Sequence, residues 1–141
     1  MHVERTFTVP LPPEAVFAYL SDFTNTNEWD PGTIETKRTG GDGGIGTTYA
    51  NISEFMGRRV ELDYETITHE QPTKVQFRGR NKSATATDSL TFTAAGAGTS
   101  IHYRADFVFS TLVNLVAPIL LRGKLERLAD ETVEQIQRAL A

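Results

Sequence analysis

The chain has no cysteine among its 141 residues, which excludes disulfides, thiolate metal sites and cysteine nucleophiles and fits a reducing cytoplasm. Long apolar runs are also missing. The longest, Leu112–Leu121, is interrupted by Asn114 and Pro118 and is far shorter than the ~20 residues needed to span a bilayer, so no stable membrane insertion is expected. A secretory leader is not expected either, because Met1–Pro10 alternates like a strand. There is no basic excess. A net charge of −4 and a pI near 5.3 argue against nucleic-acid binding and against docking on anionic membranes. His2, His69 and His102 fall at the terminus, in a turn and on an outward strand position, a spacing that holds no metal. Neither a metal nor a cofactor is expected, and the expected location is cytoplasmic. The Asn-x-Ser triplets at Asn51 and Asn81 carry no weight there.

What is present is a run of strands. From Ile45 to Phe109 apolar and polar residues alternate with turn residues between them, and no helical period intervenes. Ahead of it, Val3, Arg5, Phe7 and Val9 alternate in a first strand ended by Pro10. Pro12-Pro13-Glu14 opens a short helix with Val16, Phe17 and Leu20 on its buried stripe, since proline and an acid both suit a first turn. Ser21 or Asp22 caps a second short helix through Trp29, stopped by Asp30-Pro31-Gly32. A strand near Thr33–Thr39 precedes the glycine cluster Gly40–Gly46. From about Leu112 the period becomes helical, with Leu121, Leu125, Leu128, Thr132, Ile136 and Leu140 on one stripe and Pro118 kinking or restarting the helix. Repeats and linkers are absent, so residues 1–141 are expected to form one domain.

The turns set registers. Phe55-Met-Gly-Arg58 places Tyr64 opposite Tyr49, Leu62 opposite Asn51 and Arg59 opposite Glu54. The His69–Thr73 turn places Tyr64 opposite Gly79 and Thr66 opposite Phe77. It also sets Glu65 against Arg78 and Asp63 against Arg80 as an acid–base ladder on the reverse face. The Ala94–Gly98 turn is expected to face Phe92 to Tyr103, Leu90 to Ala105 and Asp88 to Phe107.

Laid end to end, the elements are a strand, two short helices, six strands and a long helix. The segment Phe7-Thr-Val-Pro-Leu-Pro-Pro-Glu-Ala-Val-Phe-Ala-Tyr-Leu-Ser-Asp, followed by Trp29-Asp-Pro-Gly, resembles the opening of the START-like (SRPBCC) superfamily. The nearest branch is the polyketide cyclase/dehydrase and lipid-transport-like proteins. Gly41-Asp-Gly-Gly-Ile-Gly-Thr-Thr resembles the glycine-rich loop of the Bet v 1 and plant hormone-receptor branches. The resemblance covers essentially the whole chain. It implies an α+β helix-grip fold: a seven-stranded antiparallel sheet curled around the C-terminal helix, two short helices between strands 1 and 2, and a cavity between sheet and helix. Its members include carriers, receptors and cyclases, so function has to come from the site.

Gly41-x-Gly43-x-x-Gly46 satisfies GxGxxG, but Thr47-Thr-Tyr-Ala-Asn-Ile opens a strand where a dinucleotide site needs a helix N-terminus. The loop reads as a turn, and its glycines suit it to gate a cavity mouth. The inward positions collect Tyr49, Phe55, Leu62, Tyr64, Phe77, Leu90, Phe92, Tyr103, Phe107 and Phe109. With Leu120 from the terminal segment, all but Phe109 form the candidate ligand-binding set. For any one of them plain core is the better reading. Together, three tyrosine hydroxyls on one apolar face look more like a pocket wall. An empty cavity of ~300 Å³ would cost about 7 kcal/mol at ~24 cal/mol per Å³, against a total stability of ~5–15 kcal/mol. Such a space is small, wetted by the tyrosines or occupied.

Asp88 and Arg5 fall on apolar-facing positions, where each needs a partner; a structural role is the favoured reading for both. Glu61, Asp63 and Glu65 form a solvated ladder beside Arg78 and Arg80. Trp29 either lines the mouth or pins its helix to the sheet. The expected function is binding of a hydrophobic or aromatic, lipid- or polyketide-like molecule between sheet and terminal helix, with no assigned catalytic residue. The alternative is an aromatase/cyclase-type enzyme, for which Tyr64, Tyr103 and Asp88 are the acid–base candidates and Arg5 an oxyanion partner. A protein-interaction role ranks lowest, and the oligomeric state is not legible.

Overall fold

Two-residue turns build much of the sheet. The computed structural model describes residues 1–109 and 118–141. Its elements are β1 (His2–Val9), α1 (Pro13–Leu20), a 3-10 turn (Phe23–Asn25), α2 (Thr26–Trp29) and β2 (Thr33–Gly40). There follow β3 (Thr48–Phe55), β4 (Arg58–Glu70), β5 (Lys74–Arg80), β6 (Ala84–Ala95), β7 (Gly98–Phe109) and α3 (Pro118–Ala139). Neighbours pair antiparallel in the order β1-β7-β6-β5-β4-β3-β2, so the first strand closes onto the last and the sheet curls towards the helices. This is the expected α+β helix-grip architecture. The part of the terminal helix expected between Leu112 and Pro118, and any kink at Pro118, lie outside the described residues.

The β3–β4 hairpin turns on Met56 (φ 52°) and Gly57 (φ 78°), two successive positive-φ residues whose twist matches the flanking strands. Its register is the expected one: Tyr49 faces Tyr64, Asn51 faces Leu62 and Glu54 faces Arg59. Tyr64–Gly79, Thr66–Phe77, Glu65–Arg78 and Asp63–Arg80 also pair as expected, before an irregularity between Thr66 and Thr68.

The β6–β7 hairpin corrects its expected register. It closes on Ala95 opposite Gly98, so Phe92 faces Ile101, Leu90 faces Tyr103, Asp88 faces Ala105 and Ala86 faces Phe107. The expected turn was too long by two residues, because Gly96 (φ 60°) permits the tighter reversal. A slip of two leaves every side chain on its expected face, since the pleat repeats every second residue.

The helices cover one face. Val16, Phe17 and Leu20 of α1 are buried, as expected, and the Phe17 ring meets Phe92 edge-on at 5.9 Å. Asp22 caps the 3-10 turn by accepting from the Thr24 amide at 3.0 Å. The buried stripe of α3 is Leu121, Leu125, Ala129, Thr132 and Ile136, continued by Leu140 just past its end, with Leu128 at its margin. Arg5 joins helix to sheet: its guanidinium donates to Glu126 Oε2 at 2.6 Å and to Asp130 Oδ1 at 2.9 Å.

Candidate functional site

Alternation sets which side chains look towards the helices. From β7 these are Thr99, Ile101, Tyr103, Ala105, Phe107 and Phe109; from β6 they are Ala86, Asp88, Leu90 and Phe92. The face is not sealed evenly. Phe77, Leu90 and Ile101 have no accessible surface, whereas Phe55, Leu62, Asp88, Phe107 and Phe109 of the same face are only half-buried. The half-buried hydrophobics lie at one end of the sheet, where β3 and β7 finish and β4 and β6 begin, with Asp88 two inward positions in from that edge. Phe107 and Phe109 stack there in parallel with ring centroids 5.8 Å apart. The opposite end is closed by α1 and the 3-10 turn, where Phe23 packs on Tyr64 (4.4 Å), Phe77 (4.5 Å) and Tyr49 (5.6 Å).

The candidate set therefore divides. Tyr49, Phe77 and Phe92 are fully engaged with the short helices, and Leu90 is sealed within the sheet's core. Tyr64 and Tyr103 are buried beside Asp88, while Phe55, Leu62 and Phe107 border the accessible end. Leu120 departs from expectation. It is 67% exposed, because the inward stripe of α3 runs through Leu121 and Leu125 instead.

Amid this apolar wall sits a polar group. The Tyr103 hydroxyl donates to Asp88 Oδ1 at 3.2 Å. Burial pushes the Asp88 carboxyl up to about 7, with the nearby Asp30 charge raising it further and the Tyr103 hydrogen bond opposing the shift. Burial likewise pushes Tyr64 and Tyr103 well above the usual phenol range, and both feel the charges of Asp88 and Asp30. Asp30 is itself raised by burial, against the hydrogen bonds it accepts from Thr33 Oγ1 (2.7 Å) and the Gly32 amide (3.2 Å).

A buried polar seam fixes that corner. Asn51 Nδ2 donates to Thr36 Oγ1 at 2.8 Å and to Thr33 Oγ1 at 3.2 Å, and Thr26 Oγ1 donates to Thr36 Oγ1 at 2.7 Å. The seam ties α2 to β2 and β3 and so sets Asp30 in place. Two buried polar atoms, Trp29 Nε1 and Thr66 Oγ1, have no hydrogen-bond partner among the described residues. Such atoms are uncommon in folded proteins.

Asp30 was not legible as a site residue. Beside Pro31 and Gly32 it reads as a helix stop, and only the tertiary fold brings it near Asp88. Trp29 is 2% exposed, so it lies inside rather than at a rim. Arg5 does face the helix, as its parity implies, but it is held by two acids of α3.

Other motifs resolve plainly. The Gly41-x-Gly43-x-x-Gly46 loop leads into β3, not a helix. It stands at the α1 end, with the Glu70–Lys74 and Ala95–Gly98 turns, away from the half-buried Leu62 and Phe107, so it does not gate them. Thr47 Oγ1 pins the loop by accepting from the Gly43 amide at 2.8 Å. His69 belongs to β4 rather than to the turn, its ring edge-on to Phe17 at 4.9 Å. His102 lies 3.2 Å from Glu4 on the outer face. Among the described residues no cluster could hold a metal ion, and no helix is long and apolar enough to cross a membrane. On the outer face the register of Glu65–Arg78 and Asp63–Arg80 holds, yet among the described residues neither pair closes to an ion pair. They line an open cleft of about 640 Å³ with Thr39, Thr48, Asn81 and Lys82, and Tyr49 and Tyr64 of the candidate set also contribute to its wall.

The family model for polyketide cyclase / dehydrase and lipid transport matches residues 1–141. No curated protein matches the sequence. Among solved structures, the Zhui aromatase/cyclase from Streptomyces sp. R1128 superposes with a TM-score of 0.76 at 16% identity, over 99% of this chain and 90% of that one. A START superfamily protein from Mycobacterium smegmatis gives 0.72 at 16% identity, over 99% and 93%. Ara h 8.0201 gives 0.71 at 16% identity, over 99% and 97%. At such identities the likeness is one of fold.

Proposed function

Because the chain belongs to the polyketide cyclase/dehydrase and lipid transport family, we propose that residues 1–141 act as one cytoplasmic unit that binds a hydrophobic or aromatic small molecule between the sheet and α3. The observation that carries this reading is the uneven sealing of the helix-facing wall. Phe55, Leu62, Phe107 and Phe109 keep accessible surface next to buried Tyr103 and its half-buried partner Asp88, which is the mixture of apolar wall and few polar groups that small-molecule sites present. Solved structures of the same fold include an aromatase/cyclase and a START superfamily protein, in keeping with a small-molecule role. An aromatic body burying about 200 Å² gains about 5 kcal/mol before the costs of association. By itself that corresponds to a Kd no tighter than about 0.2 mM, so tighter binding needs the polar pair and further buried wall.

The test is a thermal-shift and probe-displacement panel of two- and three-ring aromatics and acyl chains. Ligands of one shape class should raise the melting temperature and displace a fluorescent apolar probe. No shift and no displacement across the panel would remove the reading.

A second reading is cyclase-type catalysis, favoured by one observation: a carboxyl titrating near neutrality and hydrogen-bonded to a tyrosine, as general acid–base chemistry requires. Asp88 would take a proton from a carbon next to a carbonyl, and the hydroxyl of Tyr64 or Tyr103 would protonate the oxygen. Asp88→Asn and Tyr103→Phe should then abolish turnover while leaving ligand binding in place. An unchanged product profile in both variants would exclude it.

A further inference from the structure

We propose that the inner site selects guests whose buried polar group donates a hydrogen bond (a phenol, an enol or a protonated amine) and rejects guests that bring a carboxylate or phosphate to that end. The inference rests on the interior being the ligand site and adds the sign of its recognition.

Asp88 and Asp30 are the acids of this corner, close enough that each acts electrostatically on Tyr64 and Tyr103. Asp30 has its oxygens engaged by Thr33 and Gly32. Asp88 accepts only the long 3.2 Å bond from Tyr103, and its Oδ2 has no donor among the described residues. A donor on a guest fits there.

A compensating cation is lacking among the described inward side chains. Arg5 is the cation on this face, and Glu126 and Asp130 hold it at 2.6 and 2.9 Å. The inward stripe of α3, Leu121, Leu125, Ala129 and Thr132, is uncharged, with half-buried Lys124 on its flank. From α2 comes buried Trp29, and from β2 and β3 come Thr33, Thr36 and Asn51, all neutral. Residues 110–117 read Ser-Thr-Leu-Val-Asn-Leu-Val-Ala, with no ionisable side chain in the sequence. Trp29 Nε1 and Thr66 Oγ1 could serve a carbonyl oxygen, but neutral groups do not offset two carboxyls. With Asp88 ionised, an anionic head placed here would meet like charge, and Arg5, the cation of this face, is already paired.

A matched trio tests this on the full chain: 2-naphthol, 2-naphthylmethylamine and 2-naphthoate, titrated calorimetrically at pH about 6 and about 8 in buffers of different ionisation heat. At pH about 8, where Asp88 is ionised, the expected order is amine and naphthol at least about tenfold tighter than naphthoate, and the margin over naphthoate should narrow at pH about 6, where Asp88 is protonated. Amine binding at the lower pH should release a proton from Asp88. In Asp88→Asn the amine should weaken and naphthoate tighten, each by about tenfold. An unchanged cooperative urea-unfolding slope reports that this variant is folded. If naphthoate binds as tightly as the other two, the selectivity is overturned while the interior site stands. If none of the three binds, the interior site falls and the selectivity with it.

Discussion

Asp88 makes a pH dependence that can be given a sign. Its carboxyl titrates near 7 in the folded chain and near 3.8 when unfolded, so between those values the folded state binds more protons. Stability is therefore highest at the acid side of that window and falls as pH rises through it, levelling off above about 7. The shift caps the effect at about 4 kcal/mol, and the surface Asp88 keeps accessible makes it smaller. Asp30, also raised by burial, acts in the same direction. Asp106, lowered by its bond with Arg104, acts in the opposite sense as pH falls below the ordinary carboxylate range. Urea denaturation between about pH 4 and about pH 8 should show this decline. Asp88→Asn should flatten it and be the more stable chain at the alkaline end; an unchanged pH profile in the variant would refute the assignment. Gly79 offers a second residue-scale test. A Cβ there would sit 2.5–2.7 Å from the ring of Tyr64, its cross-strand partner. Gly79→Ala should cost about 1–3 kcal/mol by overpacking, and markedly less in a Tyr64→Leu background that removes the ring.

At the scale of elements, α3 is held to the sheet by its apolar stripe and by the Arg5 bonds to Glu126 and Asp130. Those bonds are charge-assisted and partly shielded, so Arg5→Ala should lose about 1–2 kcal/mol. It should also speed amide exchange in the turns of α3 around Glu126. Glu35→Ala, which removes only the exposed pair with Lys37, should change stability by less than about 0.5 kcal/mol. Elements were also where the sequence was most legible. Met56-Gly57 demands a two-residue turn, and a fixed turn sets both hairpin faces. The β6–β7 turn was harder, because Ala94–Gly98 offers several small residues that can each reverse the chain, and the pleat hides an error of two. What local pattern could not deliver was the α2 corner. Thr26, Thr36 and Asn51 look like ordinary surface polar residues until the seam closes, and Asp30 looks like a helix stop. Their role exists only in the packing of α2 against β2 and β3. Leu120 failed for a related reason: adjacent leucines share the apolar character, and the helix phase gave the inward place to Leu121.

The whole molecule is a sheet sealed at one end by α1 and the 3-10 turn and less tightly covered at the other, where Phe55, Leu62, Phe107 and Phe109 stay half-buried. An open cleft lies along the outer face, where Asp63, Glu65, Arg78 and Arg80 line it together with Tyr49 and Tyr64. A guest between the sheet and α3 would instead sit on the helix-facing wall. Titrating isotope-labelled protein with 2-naphthol and following backbone amide shifts by NMR tests that placement directly. Saturable shifts are expected at Leu62, Asp88, Tyr103 and Phe107, with Thr48, Glu65 and Arg78 of the outer cleft unmoved. Shifts confined to the outer cleft, or none at ligand saturation, would contradict it.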